Sequence, residues 1–329
     1  MRIIEVLADC GHTDTIRGIA EQYEVLDCWV NHSEEETRCS MRLVVRAEKQ
    51  QTVIDAIQTA LSASEGWRIL IKPIEGTLPR PVSDTNKEKK YSGGRTREEL
   101  YHDIEAGACV NQNFILLTIF STIVATIGLL EDNVAVVIGA MVIAPLLGPN
   151  IGLAFGSALG DKQLIVSSLK TNFVGLGTAL LLAYGIGLVW PASLQSAEII
   201  ARTDVGIDGI VLALVSGAAG ILSLTTGLSS TLVGVMVAVA LLPPTTTVGL
   251  MLAGGHYKQA LGAALLLSVN IVCVNLAAKL VLVFKGVKPR TWFEKQKARQ
   301  STVLSIIFWF ISLAILVVVM ELYHRLLTS

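Results

Sequence analysis

Two short runs carry the groups that could hold a solute: Pro145-Leu-Leu-Gly148-Pro149-Asn150 and Pro243-Pro244-Thr245-Thr246-Thr247. Both lie inside long apolar stretches. A proline within a helix donates no N–H, and its ring clashes with the carbonyl four residues back. Pro145, Pro149, Pro243 and Pro244 would therefore release the carbonyls of Met141, Pro145, Val239 and Ala240. At membrane depth such bare backbone is tolerated only where it is buried in protein or lines a cavity. A new half-helix would begin after each break, and the free N–H groups at its positive end favour an anion. The released carbonyls, with the hydroxyls of Thr245, Thr246 and Thr247, favour a cation such as Na⁺. The sequence permits both. One such run reads as a kink in a packed helix; two matched runs point to a binding site.

Other polar groups in the apolar segments are few. Asn172, Asn270 and Asn275 are site candidates, because amides coordinate ions and bridge helices. Lys170 and Lys279 lie near segment ends and read as structural, their ammonium groups snorkelling to the interface. No acidic residue lies deep in a segment, which argues against a carboxylate proton relay. Gly148, Gly152, Gly156 and Gly160 recur at every fourth position and read as a bare face for helix packing, with Gly175, Gly177, Gly185 and Gly187 doing the same further on. The five histidines are scattered, and the five cysteines show no regular spacing, so a disulfide framework is not expected and the front of the chain reads as cytosolic and reducing. No nucleophile, acid–base pair, nucleotide loop or metal-ligand spacing is present. The chain is not expected to be an enzyme, and no cofactor or metal is implied.

Positioning these groups requires a membrane-embedded frame. Of 329 residues 52% are hydrophobic and 16% charged, with a mean hydropathy of +0.59. That excludes an ordinary soluble enzyme and predicts a polytopic membrane protein. Residues 134–160 contain no charge at all. Seven apolar segments are expected: 114–130, 134–160, 164–190, 207–224, 231–255, 260–284 and 303–322. The fifth repeats the second. Gly139 and Gly234, Met141 and Met236, Val142 and Val237, Leu146 and Leu241, Leu147 and Leu242, Pro149 and Pro244 are identical pairs, each 95 residues apart. Paired interrupted segments are the best pointer to a transporter site. The membrane part therefore reads as three plus three plus one: repeat 1 over 113–190, repeat 2 over 207–285, and a last helix within 302–329.

The front differs. Residues 1–75 alternate as βαββαβ, with strands at 2–8, 25–31, 38–46 and 67–74 and helices at 13–23 and 48–62, which suggests a ferredoxin-like α+β domain. Residues 76–112 read as a mixed-charge linker followed by a juxtamembrane helix, opened by the capping box Thr96-Arg-Glu-Glu99. Lys and Arg crowd the linker and the basic loop 286–301, so both are placed on the cytoplasmic side. Six crossings between them make the repeats inverted. If the second and fifth segments are re-entrant hairpins instead, the repeats are parallel.

The run Asn133-Val-Ala-Val-Val-Ile-Gly-Ala-Met-Val-Ile-Ala-Pro-Leu-Leu-Gly-Pro149 resembles the signature of a prokaryotic membrane family known by an "uncharacterised hydrophobic domain", a domain of unknown function. The likeness spans roughly residues 100–285. It implies a multi-pass protein of the prokaryotic inner membrane and brings no substrate with it. The functional expectation therefore rests on the residues: a secondary transporter or permease for a small ion or solute, bound where the two interrupted helices meet. A channel and a membrane-anchored sensor are the alternatives. The expected partners are the lipid bilayer, a small ion or solute and further copies of the chain, with no nucleic acid.

Overall fold

A computed structural model describes the backbone of all residues except 33–37, 76, 78–95, 191–193, 205, 227–229, 286–291 and 329. Side chains at 32, 230–239, 292–302, 304, 324 and 326–328 are also left undescribed. The expected linker falls almost wholly outside the described residues. The chain forms two compact units, Met1–Leu100 and Tyr101–Ser329.

The first unit runs β1 (Arg2–Asp9), a 3₁₀ turn (Cys10–His12), α1 (Thr13–Gln22), β2 (Asp27–His32), β3 (Arg38–Val45), α2 (Gln50–Ala60) and β4 (Arg68–Pro73). The sheet is antiparallel, in the order β2-β3-β1-β4. Strand side chains alternate between faces, so Ile4, Val6, Met41 and Leu43 point one way and bury against Ile16, Val53, Ile54 and Ile57 of the helices. Cys10 and Cys39 are joined by a disulfide, Cα–Cα 5.0 Å. This corrects the expectation of an all-reduced unit. The register that pairs Ala8 with Cys39 brings the turn after β1 alongside β3, a proximity that cysteine spacing does not reveal.

On the opposite face Glu5 accepts hydrogen bonds from Lys72 (2.5 Å), Arg42 (2.8 Å) and Ser40 (2.8 Å). The Lys72 bond, then those of Arg42 and Ser40, hold its carboxyl down at about 2 instead of 4.5. A depressed carboxyl stabilises the fold above its unfolded value and loses that contribution as pH falls toward its folded value. Amide exchange in β1, corrected for the chemical rate, should therefore lose protection as pH drops from 4.5 toward 2. In Glu5→Gln that step should be absent; an equal step in the variant would rule Glu5 out as its source.

Helix α3 (Arg97–Gly107) opens with the expected capping box. The Thr96 N–H and hydroxyl both reach the Glu99 carboxylate (2.8 and 3.0 Å), and the Glu99 N–H reaches the Thr96 hydroxyl (3.2 Å). The Glu99 carboxylate also pairs with Arg2.

The second unit is helical: α4 (Gln112–Leu130), α5 (Val134–Ile143), α6 (Leu147–Leu159), α7 (Lys162–Val189), α8 (Ala197–Ile200), α9 (Ile207–Thr226), α10 (Ser230–Ala253), α11 (Tyr257–Phe284) and α12 (Trp292–Thr328). Among the described residues, five helices are long and apolar enough to cross a membrane, and six if α5 and α6 count as one bent span. Residues 292–301 belong to α12 and are not a loop as expected. The register of the repeat is regular. The starts of α4 and α9 are 95 residues apart, and α7 and α11 are both 28 residues long with starts and ends 95 apart. Gly160 and Gly255 precede them, both left-handed (φ 74° and 73°). Gly160 thus terminates α6; the residue expected to pack is a helix stop.

The two interruptions are unlike. α5 and α6 meet at 53°. Ala144 is extended (ψ 123°), the conformation that a following proline imposes. Pro149 sits in the first turn of α6, where no N–H partner is needed. By contrast α10 continues through Pro243 and Pro244. The expected second break does not form, and the reason lies in a neighbouring helix. Asn270 of α11 donates its amide to the Ala240 carbonyl (2.8 Å), the acceptor that Pro244 cannot serve. Asn270→Leu should cost about 1–3 kcal/mol, the penalty of an orphaned buried acceptor. Pro244→Ala restores an N–H to that carbonyl and should rescue Asn270→Leu. A thermal-melt double-mutant cycle checks this, and additive losses would refute it.

Candidate functional site

The sequence-nominated residues divide into two groups. Thr245, Thr246 and Thr247 are fully buried. The Thr245 and Thr246 hydroxyls donate to the carbonyls of Leu241 (2.7 Å) and Leu242 (2.9 Å) in their own helix. Thr247 Oγ1 is buried without a hydrogen-bond partner. The four-residue back-bonds of Thr245 and Thr246 are the ordinary fate of threonine in a helix. Asn270, as above, repairs α10.

The other group converges. Asn150 stands on the first turns of α6, just past the break, and is 1% exposed. Its amide donates to the Leu146 carbonyl (2.9 Å) and to Asn172 Oδ1 on α7 (3.0 Å). Its Oδ1 accepts from Asn275 Nδ2 on α11 (3.3 Å). Asn275 Nδ2 also donates to the Ile271 carbonyl (2.8 Å), whereas its Oδ1 is buried with no partner. Three asparagines from three helices thus meet beside Pro145 and Leu146. Sequence could nominate each amide but not their meeting, since Asn150 and Asn275 are 125 residues apart.

A second rung follows along the same two helices. Ser157 lies two turns beyond Asn150 on α6, and Lys279 one turn beyond Asn275 on α11, so each pair shares a helix face. Lys279 Nζ donates to Ser157 Oγ (3.0 Å) and to the Ser157 carbonyl (3.4 Å). Lys279 is fully buried. Snorkelling is therefore overturned for Lys279: its side chain turns inward to α6. Lys170 is exposed. The signal for Lys279 was available in the spacing of Asn275 and Lys279, four apart within an apolar helix.

The glycine row of α6 faces elsewhere. A Cβ on Gly148 would strike the Gly107 backbone, one on Gly152 would strike the Ser168 hydroxyl, and one on Gly156 would lie 3.2 Å from Ile165 and Leu164. These contacts hold α6 against α3 and α7. Tyr101 adds to them, packing at a tilt of 56° on Phe155 (centroids 6.3 Å) and donating to Asp161, the N-cap of α7 (2.7 Å). That bond, then burial, pushes the Tyr101 hydroxyl up to about 12. A groove of about 750 Å³ lies away from the asparagines, between Ile123 and Ile127 of α4 and Leu181 and Val189 of α7. It is apolar. Among the described residues no three His, Cys, Asp or Glu side chains converge as metal ligands.

The family model described as "Domain of unknown function (DUF389)" matches residues 141–276. An uncharacterized protein of Methanocaldococcus jannaschii is 32% identical over 296 residues, covering 90% of this chain and 91% of its own. The chain belongs to the DUF389 family. The DUF389 match begins at the last turn of α5 and ends in α11. It therefore includes Asn150, Ser157, Asn172 and Asn275, while Lys279 follows three residues beyond. No solved structure matches the chain.

Proposed function

We propose that this DUF389 protein is a secondary transporter or permease for a small ion or solute, and that its binding site is the seam between α6, α7 and α11. The observation that carries this reading is the meeting of Asn150, Asn172 and Asn275 beside the bend at Pro145. A bend of 53° between two packed helices provides a hinge. Buried amides are costly unless satisfied, so a hydrophobic bundle needing only stability would not collect three of them. The unserved Asn275 Oδ1 offers an acceptor to a ligand. The seam is closed here, as a carrier's is between openings.

The regular 95-residue register supports a 3+3 repeat, and the basic residues flanking it support an inverted arrangement with the front domain and the basic stretch 286–301 on the cytoplasmic side of a prokaryotic inner membrane. The order β2-β3-β1-β4 supports a ferredoxin-like front domain, assigned here a regulatory or oligomerising role by analogy of fold. The chain is read as a non-enzyme acting as a homo-oligomer. Lys162→Cys should resist a membrane-impermeant thiol reagent applied from outside; ready reaction would favour the parallel arrangement.

Alternating access makes the seam reachable by water. With Cys28, Cys109 and Cys273 replaced by alanine as background, Asn275→Cys in proteoliposomes should react with a small cationic thiosulfonate. Asn150→Leu, which fills the seam, should suppress that reaction. Complete inertness of Asn275→Cys would reject the carrier and leave the asparagines as structural glue.

A further inference from the structure

We propose that Lys279 makes the seam a site for a small monovalent anion; this rests on the permease reading and names its substrate class. The ammonium is fully buried, and its hydrogen-bond partners among the described residues both belong to Ser157. The Ser157 hydroxyl is itself spent as a donor to the Ala154 carbonyl (2.9 Å), so it serves the lysine only as an acceptor. A serine hydroxyl and a carbonyl supply no negative charge. Among the described residues no carboxylate lies within ion-pair distance of Nζ. α6 carries no charged residue, and α11 carries only Lys258 besides Lys279. Asp161, beyond the end of α6, is engaged by Tyr101 and by the N–H groups of Gln163 and Leu164.

A buried ammonium without a counter-charge is among the costliest groups a membrane protein can hold. An apolar side chain of similar length would serve packing better. One lysine matches one negative charge. The donor left to an anion is the third N–H of the ammonium, since both Asn275 N–H groups are spent on Asn150 and on the Ile271 carbonyl. α6 and α11 already touch at this level through Ser157 and Lys279 (3.0 Å), which restricts the guest to a few atoms.

The test uses purified full-length protein in detergent and four sodium salts at equal ionic strength: chloride, nitrate, formate and gluconate, the last too large for the seam. The thermal midpoint should be higher in at least one small anion than in gluconate by a few degrees, as expected when a ligand binds only the folded state. Lys279→Met should erase that spread, and Lys279→Arg should keep part of it. Lys170→Met, at an exposed lysine, should leave it unchanged. No spread in the wild-type protein, or the same spread in Lys279→Met, overturns the proposal. If Lys279→Met does not fold, Lys279→Gln takes its place, and a spread lost in Lys279→Arg as fully as in the glutamine variant also overturns it. Counterflow of the stabilising anion in proteoliposomes separates the two readings. Stabilisation lost in the neutral variant without any flux upholds the anion site and rejects the permease. Flux of a small solute that survives loss of the lysine upholds the permease and rejects the anion assignment.

Discussion

Gly217→Ala is expected to drive α9 from α11. Its new methyl group would lie 2.7 Å from the Val274 carbonyl oxygen and 2.8 Å from the Val274 Cα. Backbone cannot swing aside as a side-chain tip can, so the helices must separate. Overpacking of this kind costs about 1–3 kcal/mol, and a contact with main chain belongs at the upper end. Gly249 of α10 is in the same position against α7, 2.7 Å from the Leu180 carbonyl oxygen and 2.9 Å from the Tyr184 nitrogen. Gly139 and Gly177 are the controls. A Cβ there meets nothing within 4 Å. Alanine at either should be neutral or stabilise by up to about 1 kcal/mol, since glycine is the poorer helix former. Thermal midpoints of the four variants decide the matter. If Gly217→Ala and Gly139→Ala shift alike, the close approach of α9 to α11 is not as described.

The second large effect is expected at Asn150. Asn150→Leu removes the acceptor of Asn275 and the donor of Asn172 together. The Asn172 oxygen is then left in a dry interior, and a branched apolar side chain must fit a site shaped for an amide. A loss of roughly 2–4 kcal/mol is expected. Asn172→Leu removes one bond only and leaves Asn150 still donating to Leu146, so its cost should be nearer 1 kcal/mol. Urea-dependent unfolding in detergent measures both. An Asn150 variant no less stable than the Asn172 variant would show that Asn150 does not bridge the three helices.

The two kinds of glycine illustrate how far local pattern reaches. Spacing by four along α6 puts Gly148, Gly152 and Gly156 on one side of the helix. It does not distinguish them from Gly160, whose left-handed φ ends the helix. Among Gly175, Gly177, Gly185 and Gly187, expected to behave alike, Gly175 packs on Phe114 and Gly187 on Ala253, while Gly177 and Gly185 face open space. The prolines teach the same lesson. Pro145 breaks its helix and the Pro243-Pro244 pair does not, though the pair is the stronger breaker by residue type.

Apolar, membrane-compatible helices and the 95-residue repeat follow from the residues alone, because hydropathy and periodicity are properties of a short window. So does the βαββαβ order of the front unit, written in alternating side chains. The meeting of Asn150 with Asn275, the rescue of Ala240 by Asn270, the Cys10–Cys39 bond and the inward turn of Lys279 each join residues far apart in the chain. Which carbonyl a proline leaves bare is a local fact. Whether another helix brings a donor to it depends on packing, and packing alone determined which interruption became a bend and where a charge could be buried.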